Sequence, residues 1–423
     1  MNILLVGARG FLGRHLLPAL LAEGHRVFAT ARRVPEAADT TGVQWLALDL
    51  QTLAHDPAAF DWPERVDVLI NAAGVLSEDA EELTHTQALG PQRLFAQAAQ
   101  QGARILQLSA LGAGEQPDVP FLASKALADQ AALAYPASVV LRPSLVLGEG
   151  GASSGWLARL SRLPWLPMPR SPARLQPLHV DDLVGAVLAL LRRWPERSLV
   201  LPLVGAQPMT QGELLDLLRQ AQGLRSVRRP GLPWKMFEGF CALASRLRWG
   251  PLSPQLLRMM RRDNLASAEP LADACGYRPA PLALRLLGWP DGRAVLSDCL
   301  RPVWLGVLLA VWLGTAVVCL GPGFDWGLRI MAEFGVNGWL ASVAVIAGAL
   351  LDGLLGLGLL LRRWRRRALL AQIALMLGYT LLISWRLPHY WFDPFMAVGK
   401  NLVILLASIA LLASEPAPDK DAA

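Results

Sequence analysis

A chain of 423 residues exceeds one ordinary domain. Its hydrophobic content of 53% and mean hydropathy of +0.35 are high for a soluble protein, and the excess gathers after Arg301, which marks a membrane section. The net charge of +6 is mostly arginine placed beside apolar segments, which suits anionic lipid headgroups. With no basic stripe interleaved with aromatics, the charge excludes a nucleic-acid groove.

In chain order, Ile3–Val6 is an apolar run of the kind a buried parallel strand needs. It passes into Gly7-Ala8-Arg9-Gly10-Phe11-Leu12-Gly13, after which a helical pattern runs over Leu12–Glu23. A glycine turn between strand and helix is the opening of a dinucleotide-binding βαβ unit. Gly7 permits the tight turn, Gly10 the approach of a pyrophosphate to a helix N-terminus, and Gly13 close helix–strand packing. Arg9, Phe11 and Leu12 fall in the same cofactor-contacting run. The N-terminal apolar run lacks a basic flank and breaks at Gly7, so no signal peptide is expected and the first section is expected in the cytosol.

His25–Ala31 reads as the second strand, and it ends in Arg32-Arg33 where an NAD-preferring fold usually places an acid. Two guanidinium groups, with Arg9 as a third, suit a ribose 2′-phosphate, so NADP(H) is expected in preference to NAD(H). Val43–Leu48 is a third strand ending at Asp49-Leu50; Asp49 either accepts from an adenine amino group or caps a turn. Asp67–Asn71 is a fourth strand, followed by Ala72-Ala73-Gly74, small enough for a flat cofactor to pass closely. A helix over Leu83–Gln101, a fifth strand over Arg104–Leu108 ending at Ser109, a helix within Pro120–Tyr135 and a sixth strand over Val139–Arg142 complete the alternation. The fold class is therefore α/β, a doubly wound parallel sheet.

Gly7–Gly13, Asn71-Ala72-Ala73-Gly74, Ser109, Lys125, Arg142-Pro143-Ser144 and His179-Val180-Asp181-Asp182 together resemble the short-chain dehydrogenase/reductase superfamily over roughly residues 1–290. The resemblance is nearest to its atypical or extended branch, around the NADPH-binding accessory subunit of respiratory complex I. It implies a nicotinamide cofactor held by the glycine turn, Asn71, Ala72, Ala73, Gly74, Lys125, Arg142 and Pro143. It also implies catalysis with Ser109 orienting the substrate and Lys125 holding the nicotinamide ribose. In that superfamily a tyrosine four residues before the lysine exchanges a proton with the substrate; here Phe121 stands in its place and has no exchangeable proton. Two readings stay open: hydride transfer to a lipophilic carbonyl or quinone that needs no tyrosine, and use of NADPH for sensing or assembly within a membrane redox complex.

Further on, Gly148–Gly151 marks a crossover and Trp156–Leu163 a short helix. Pro164–Pro177, with prolines also at 167, 169 and 172, is expected to be irregular. Asp181 and Asp182 open a helix over Leu183–Trp194, Ser198–Val204 is a strand, and Thr210–Gln222 is a helix with a Thr210/Glu213 capping box. In Gly231–Arg262, Trp234, Phe237, Phe240, Leu243 and Leu247 recur at helical steps among Lys235, Arg246, Arg248, Arg258, Arg261 and Arg262. That stripe lies in a bilayer interface, walls a lipophilic pocket, or packs on the lobe. The 4 cysteines, Cys241, Cys275, Cys299 and Cys319, fall singly and give no metal-ligand spacing, so no metal is expected.

Apolar stretches follow at Val303–Leu320, Gly335–Leu361, Ala368–Trp385 and Phe395–Ala413, each near the length needed to span hydrocarbon. Gly321–Phe334, Arg362–Arg367 and Arg386–Pro394 read as the loops between them. The arginines of the second loop place it in the cytoplasm, which returns the N-terminal domain and the C-terminus to the same side of a bacterial-type inner membrane. Asp352 is the ionisable residue well inside a span. This section, notably Leu375–Thr380 and Lys400–Leu402, resembles the DoxX-like membrane family over about residues 300–415. The expected division is 1–150 for the nucleotide core and 151–298 for completion of the sheet with a substrate lobe. An all-α four-helix membrane bundle then takes 300–415, and 416–423 is a disordered tail. Expected partners are membrane lipid, a lipophilic substrate or quinone, and a membrane redox complex or a second copy of the chain.

Overall fold

The computed structural model describes residues 1–34, 42–170, 173–246, 253–392 and 396–415. The chain divides into two compact units, Met1–Gly292 and Arg293–Ala423.

The first unit is built on strands β1 (Asn2–Val6), β2 (Arg26–Ala31), β3 (Val43–Ala47), β4 (Val68–Asn71), β5 (Arg104–Leu108) and β6 (Ser138–Pro143). After the two-residue strands β7 (Val146–Leu147), β8 (Met168–Pro169), β9 (Arg174–Leu175) and β10 (Leu178–His179) comes β11 (Leu199–Leu203). Seven of them form one sheet in the order β11-β6-β5-β4-β1-β2-β3, every neighbouring pair parallel. Residues alternate between its two faces, as a sheet covered by helices on both sides requires. Ile3, Leu5, Val27 and Ile70 join the apolar cluster under helices α1 (Phe11–Ala22) and α7 (Val180–Arg192). Leu4, Val6, Phe28 and Leu69 join the cluster on the opposite face. That second face is covered by α2 (Leu50–His55), α4 (Gly90–Gln100) and α5 (Pro120–Leu133). Each fully buried leucine contributes roughly 1.5–3 kcal/mol of transfer free energy. The order reverses at β1: the chain proceeds from β1 to β2 on one side and later to β4 on the other. The crevice at such a switch point is where nucleotides bind in open α/β sheets.

The expected helix over Leu83–Gln101 is longer and interrupted. It starts at α3 (Ala80–Thr84), capped by Asp79 on Glu81 and Glu82, and passes through a π-turn at His85–Leu89 before α4. The Asp79 cap satisfies first-turn amides that an apolar pattern alone does not reveal. In the lobe, α6 (Ala152–Arg162) packs on α8 (Gln211–Ala221), whose Thr210/Glu213 capping box is present. The proline-rich stretch is irregular except for β8 and β9; Pro172 lies outside the described residues. β9 pairs with β12 (Met209–Thr210), and β8 with β13 (Gly231–Leu232). In α9 (Trp234–Arg246), Phe237, Cys241 and Ala244 are buried, so this helix packs on the lobe. Leu243 is exposed rather than part of that inner stripe, because the buried positions step 3–4 residues from Phe237 through Cys241. Leu247 and Arg248 lie outside the described residues. The unit continues through α10 (Pro254–Met260), α11 (Glu269–Cys275) and α12 (Leu282–Arg285).

The second unit comprises α13 (Gly292–Leu320), α14 (Phe324–Glu333), α15 (Trp339–Gly358), α16 (Arg362–Arg386) and α17 (Ala397–Ser414). Among the described residues α13, α15 and α16 are long and apolar enough to cross a membrane, with mean hydropathies of 2.4, 2.1 and 1.8. The fourth expected stretch is helical but shorter in its described apolar part, Val398–Ala413; Phe395 lies outside the described residues. Two expected loops are corrected. Gly321–Phe334 contains α14, and the arginines at 362–367 form the first turns of α16. Arginine is a good helix former, so its charge marks a membrane edge without ending the helix. Arg301 and Arg365 both meet Glu415, at 2.7 and 3.6 Å, so the Arg301 level of α13, the start of α16 and the end of α17 share one end of the bundle. His389 and Tyr390 meet Glu333 beyond the far end of α16, at 3.3 and 3.2 Å.

Candidate functional site

The turn after β1 has the geometry its glycines imply. Gly7 adopts φ +78°, and a Cβ there would lie 3.0 Å from the backbone of Ala73. Gly7 and Ala8 are held from β2 by Thr30, whose hydroxyl and carbonyl accept from their amides at 3.3 and 3.2 Å. A Cβ on Gly13 would fall 2.2 Å from the Gly7 carbonyl oxygen, so only glycine lets α1 sit this close to the turn. Gly10 caps α1 without any side-chain hydrogen bond, and its first turn holds no acidic residue. Its amides and the positive end of the helix dipole therefore suit an anion. Phe11 lies under the Gly148–Gly151 crossover, with its ring 3.1 Å from a Cβ position on Gly151. Arg14 and His15 bond the carbonyls of Gly150 and Glu149, so the crossover is fastened to the same helix end. Leu12 is half-buried and packs against the sheet.

At the end of β2, Arg32 and Arg33 are exposed, and Arg9 reaches from the glycine turn to the Arg33 carbonyl at 3.5 Å. Arg9 is thus brought to the end of β2, where Arg32 and Arg33 follow in the chain. Beside it, Asn71 accepts from the Ala73 amide at 3.2 Å and donates to Gln107 at 2.7 Å, and Ala72 donates to the Val6 carbonyl. Asp49 caps α2, accepting from Gln51 at 2.9 Å, and Leu50 is buried behind it.

Lys125 is 5% exposed on α5. Its ammonium donates to the carbonyls of Ala73 at 3.0 Å and Leu108 at 3.2 Å, tying α5 to the ends of β4 and β5. Burial lowers its pKa to about 8, opposed by the nearby Asp129 charge. One turn further on, Asp129 is 1% exposed and takes hydrogen bonds on Oδ2 from Ser109 at 2.8 Å and Arg142 at 2.9 Å. Burial raises the Asp129 pKa against the lowering pull of those two partners. Its Oδ1 has no hydrogen-bond partner. The Ser109 proton and the Arg142 Nε–H are therefore committed to Asp129. Pro143, the last residue of β6, gives its carbonyl to Leu111 at 2.8 Å. Phe121 occupies the turn before Lys125 and its amide donates to Gln255 at 2.9 Å.

Two groups escaped the sequence reading. Asp129 stands four residues after Lys125, so the helical repeat that pairs Phe121 with Lys125 pointed to it. Gln87 lies in the π-turn and donates to the Val75 carbonyl and to Ser124. Its Oε1 is buried without a partner, 3.5 Å from a Cβ position on Gly74. No periodicity announces a π-turn, though such turns gather at functional sites. In the lobe, His179 accepts from the Asp181 amide as an N-cap, and burial lowers its pKa. Asp182 is wholly buried and holds Tyr277, the Ala280 amide and Arg285, a tertiary anchor rather than only a charge at a helix start. A hollow of about 670 Å³ at the opposite, N-terminal ends of β1, β4 and β5 is distant from all these groups.

Fold and site define an NAD(P)-binding Rossmann oxidoreductase-like domain joined to a DoxX-type membrane domain. A family described as NAD dependent epimerase/dehydratase matches residues 3–199, and one described as DoxX-like matches residues 309–409. A "3-diazoavenalumate denitrifying reductase" from Streptomyces sp is 32% identical over 220 residues, 45% of this chain and 71% of that protein. The chain belongs to the NAD-dependent epimerase/dehydratase family. A "Ceramide reductase" from Caulobacter vibrioides is 30% identical over 197 residues, 45% of this chain. A mitochondrial "NADH dehydrogenase [ubiquinone] 1 alpha subcomplex subunit 9" from Dictyostelium discoideum is 26% identical over 227 residues, 50% of this chain. The chain spans 61% of the length of each of these two relatives. Among solved structures, a UDP-galactose 4-epimerase superposes with TM-score 0.52 at 17% identity, covering 70% of this chain and 99% of that one. A dTDP-glucose 4,6-dehydratase from Bacillus anthracis in complex with NAD gives TM-score 0.50 at 18% identity, covering 68% and 94%. At these identities the likeness is one of fold.

Proposed function

We propose that this chain is a membrane-anchored oxidoreductase that uses NADP(H) in preference to NAD(H) to reduce a lipophilic carbonyl or a quinone. The observation that carries the reading is that Arg9 reaches from the glycine turn to the end of β2, where Arg32 and Arg33 stand exposed, beside a helix end with no side-chain cap. Forked guanidinium donors there match a 2′-phosphate. Gly7, Gly10 and Gly13 would admit the pyrophosphate. Asn71, Ala72, Ala73 and Gly74 would line the path of the nicotinamide half, with Arg142 and Pro143 at its far side and Asp49 and Leu50 toward the adenine. When bound, the nicotinamide supplies a hydride. Two of the three Lys125 donors are taken by carbonyls, leaving one for a ribose hydroxyl. Ser109 is fixed by Asp129 and would orient the substrate oxygen through its remaining acceptor capacity. Phe121 has no proton to give, so the proton completing a carbonyl reduction would come from water. The name of the Caulobacter relative, a ceramide reductase, supports a lipid-like substrate. In this reading residues 1–150 form the nucleotide core, 151–298 the substrate lobe and 300–415 the anchor. The arginine end of the bundle faces the cytoplasm of a bacterial inner membrane, with both termini on that side.

NADPH oxidation by the full chain in detergent, with decylubiquinone and long-chain ketones as acceptors, tests it. Turnover above the no-enzyme rate supports the reductase. A second reading, NADPH binding for assembly or sensing, is favoured by Phe121 alone and accords with the complex I relative. NADPH bound without turnover on either acceptor would favour it.

A further inference from the structure

Among the described residues of the membrane unit, and apart from Arg301 Nε and Glu415 Oε1 at the ion-paired end of the bundle, three buried polar atoms have no hydrogen-bond partner: Trp312 Nε1 on α13, Asp352 Oδ1 on α15 and Gln372 Oε1 on α16. The residues are 5%, 7% and 0% exposed. They come together within one turn of α15. A Cβ position on Gly356 lies 3.1 Å from Trp312 Cβ, and Gln372 spends its amide on the carbonyl of Leu355 at 3.0 Å. Asp352 stands one helical turn from both Leu355 and Gly356. Three basic groups of the unit pair away from Asp352: Arg301 and Arg365 with Glu415, and His389 with Glu333. The titratable groups that feel the Asp352 carboxylate are Cys319 on α13 and Tyr379 on α16. Tyr379 Oη lies 3.4 Å from a Cβ position on Gly348, one turn further along the same helix. α14 meets α15 at Val345, about two turns from Asp352.

A buried polar atom without a partner is costly, and hydrocarbon offers none. Three such atoms, on residues of three helices that adjoin one turn of α15, describe a receptor for a polar head carried on an apolar body. Two are acceptors and one is a donor, so the complementary head supplies two hydroxyl donors and an oxygen that accepts. We propose that Trp312, Asp352 and Gln372 form an intramembrane binding site for a lipophile whose head carries two hydroxyl groups. The site stands on the bundle alone and is independent of the nucleotide reading.

Two sources share that chemistry, a quinol and an acylated glycerol diol, and the test separates them. Decylubiquinol and monoolein are titrated into the full chain in dodecyl maltoside, without NADPH, following tryptophan fluorescence and thermal stability. Saturable binding of either probe is expected. Asp352→Leu and Gln372→Leu should each weaken it roughly five- to tenfold, the loss of one hydrogen bond to a head that stays desolvated. Two comparisons need only the native protein, should a variant fold poorly. Decylubiquinone lacks the donors and should bind at least about fivefold more weakly than decylubiquinol, and the dimethyl ether of monoolein should lose binding likewise. Saturation by decylubiquinol alone assigns the quinol, and by monoolein alone the diol lipid. No saturable binding of either probe, or binding indifferent to both the leucine variants and the loss of hydroxyls, overturns the site.

Discussion

Lys125 Nζ lies 3.0 Å from the carbonyl oxygen of Ala73, in the segment that also walls Gly7. The buried ammonium is thus a link between α5 and the segment beside the glycine turn. A neutral amine has two N–H donors, and here both are taken by Ala73 and Leu108. The donor proposed for the nicotinamide ribose exists only while the group is charged. With a pKa lowered to about 8 by burial, NADPH affinity is expected to fall as pH rises from 7 to 9. Calorimetric titration across that range checks it, and Lys125→Met should remove the pH dependence together with most of the affinity. Stability moves the other way. Unfolded, the lysine titrates near 10.5, so between about 8 and 10.5 the unfolded chain binds more protons than the folded one. The contribution of this group to stability therefore rises with pH in that window. A cofactor affinity that is flat from pH 7 to 9 would remove Lys125 from the proposed contact.

Phe121 precedes Lys125 by one turn of α5, the spacing at which two side chains can share a proton-transfer site. Phe121→Tyr is expected to raise NADPH-dependent carbonyl reduction by about 10²-fold, at the low end for an added general acid. Quinone reduction, which can take its protons from water, should change little. Initial rates with a long-chain ketone and with decylubiquinone separate the two. Unchanged rates with both acceptors would mean that the remaining groups are not arranged for tyrosine-type chemistry.

Arg32 and Arg33 follow β2, and Arg9 reaches the Arg33 carbonyl from the glycine turn. Arg32→Ala is expected to weaken NADPH binding by roughly tenfold, one charge-assisted contact, and to leave NADH binding within about twofold. Fluorescence titration of both nucleotides against the full chain gives the ratio directly. Equal losses for the two nucleotides would place Arg32 away from the 2′-phosphate.

The sheet was readable because its central strands β1, β4 and β5 are short apolar runs buried on both faces, and because Gly7 and Gly13 occupy positions where a Cβ would meet backbone. Lys125, and Phe121 as the departure four residues before it, were readable from the resemblance to the short-chain dehydrogenase/reductase superfamily. What the sequence hid was partnership. Nothing local says that Ser109 and Arg142 meet on Asp129, or that Asp182 anchors Arg285 103 residues away. These contacts exist only after strands far apart in the chain become neighbours. Helix limits were hidden where capping or composition outranked apolar pattern. Asp79 started a helix before its apolar face began, and the arginines after Leu361 continued as helix because their charge opposes burial, not helicity.

Asp129 is held by Ser109 and Arg142 while its second oxygen is unpaired, so replacing the carboxylate tests what the cluster does. Asp129→Asn keeps the volume and one acceptor but removes the charge facing Arg142, leaving a part-buried guanidinium without its counter-ion. A stability loss of about 3 kcal/mol is expected, the low end for breaking a buried pair. The same change removes the charge that supports the Lys125 ammonium. The midpoint of the fall in NADPH affinity with pH should then move below pH 8. Thermal unfolding and nucleotide titrations at pH 7 and 8 report the two effects separately. Lost stability with an unmoved pH midpoint would make Asp129 a purely structural partner of Arg142.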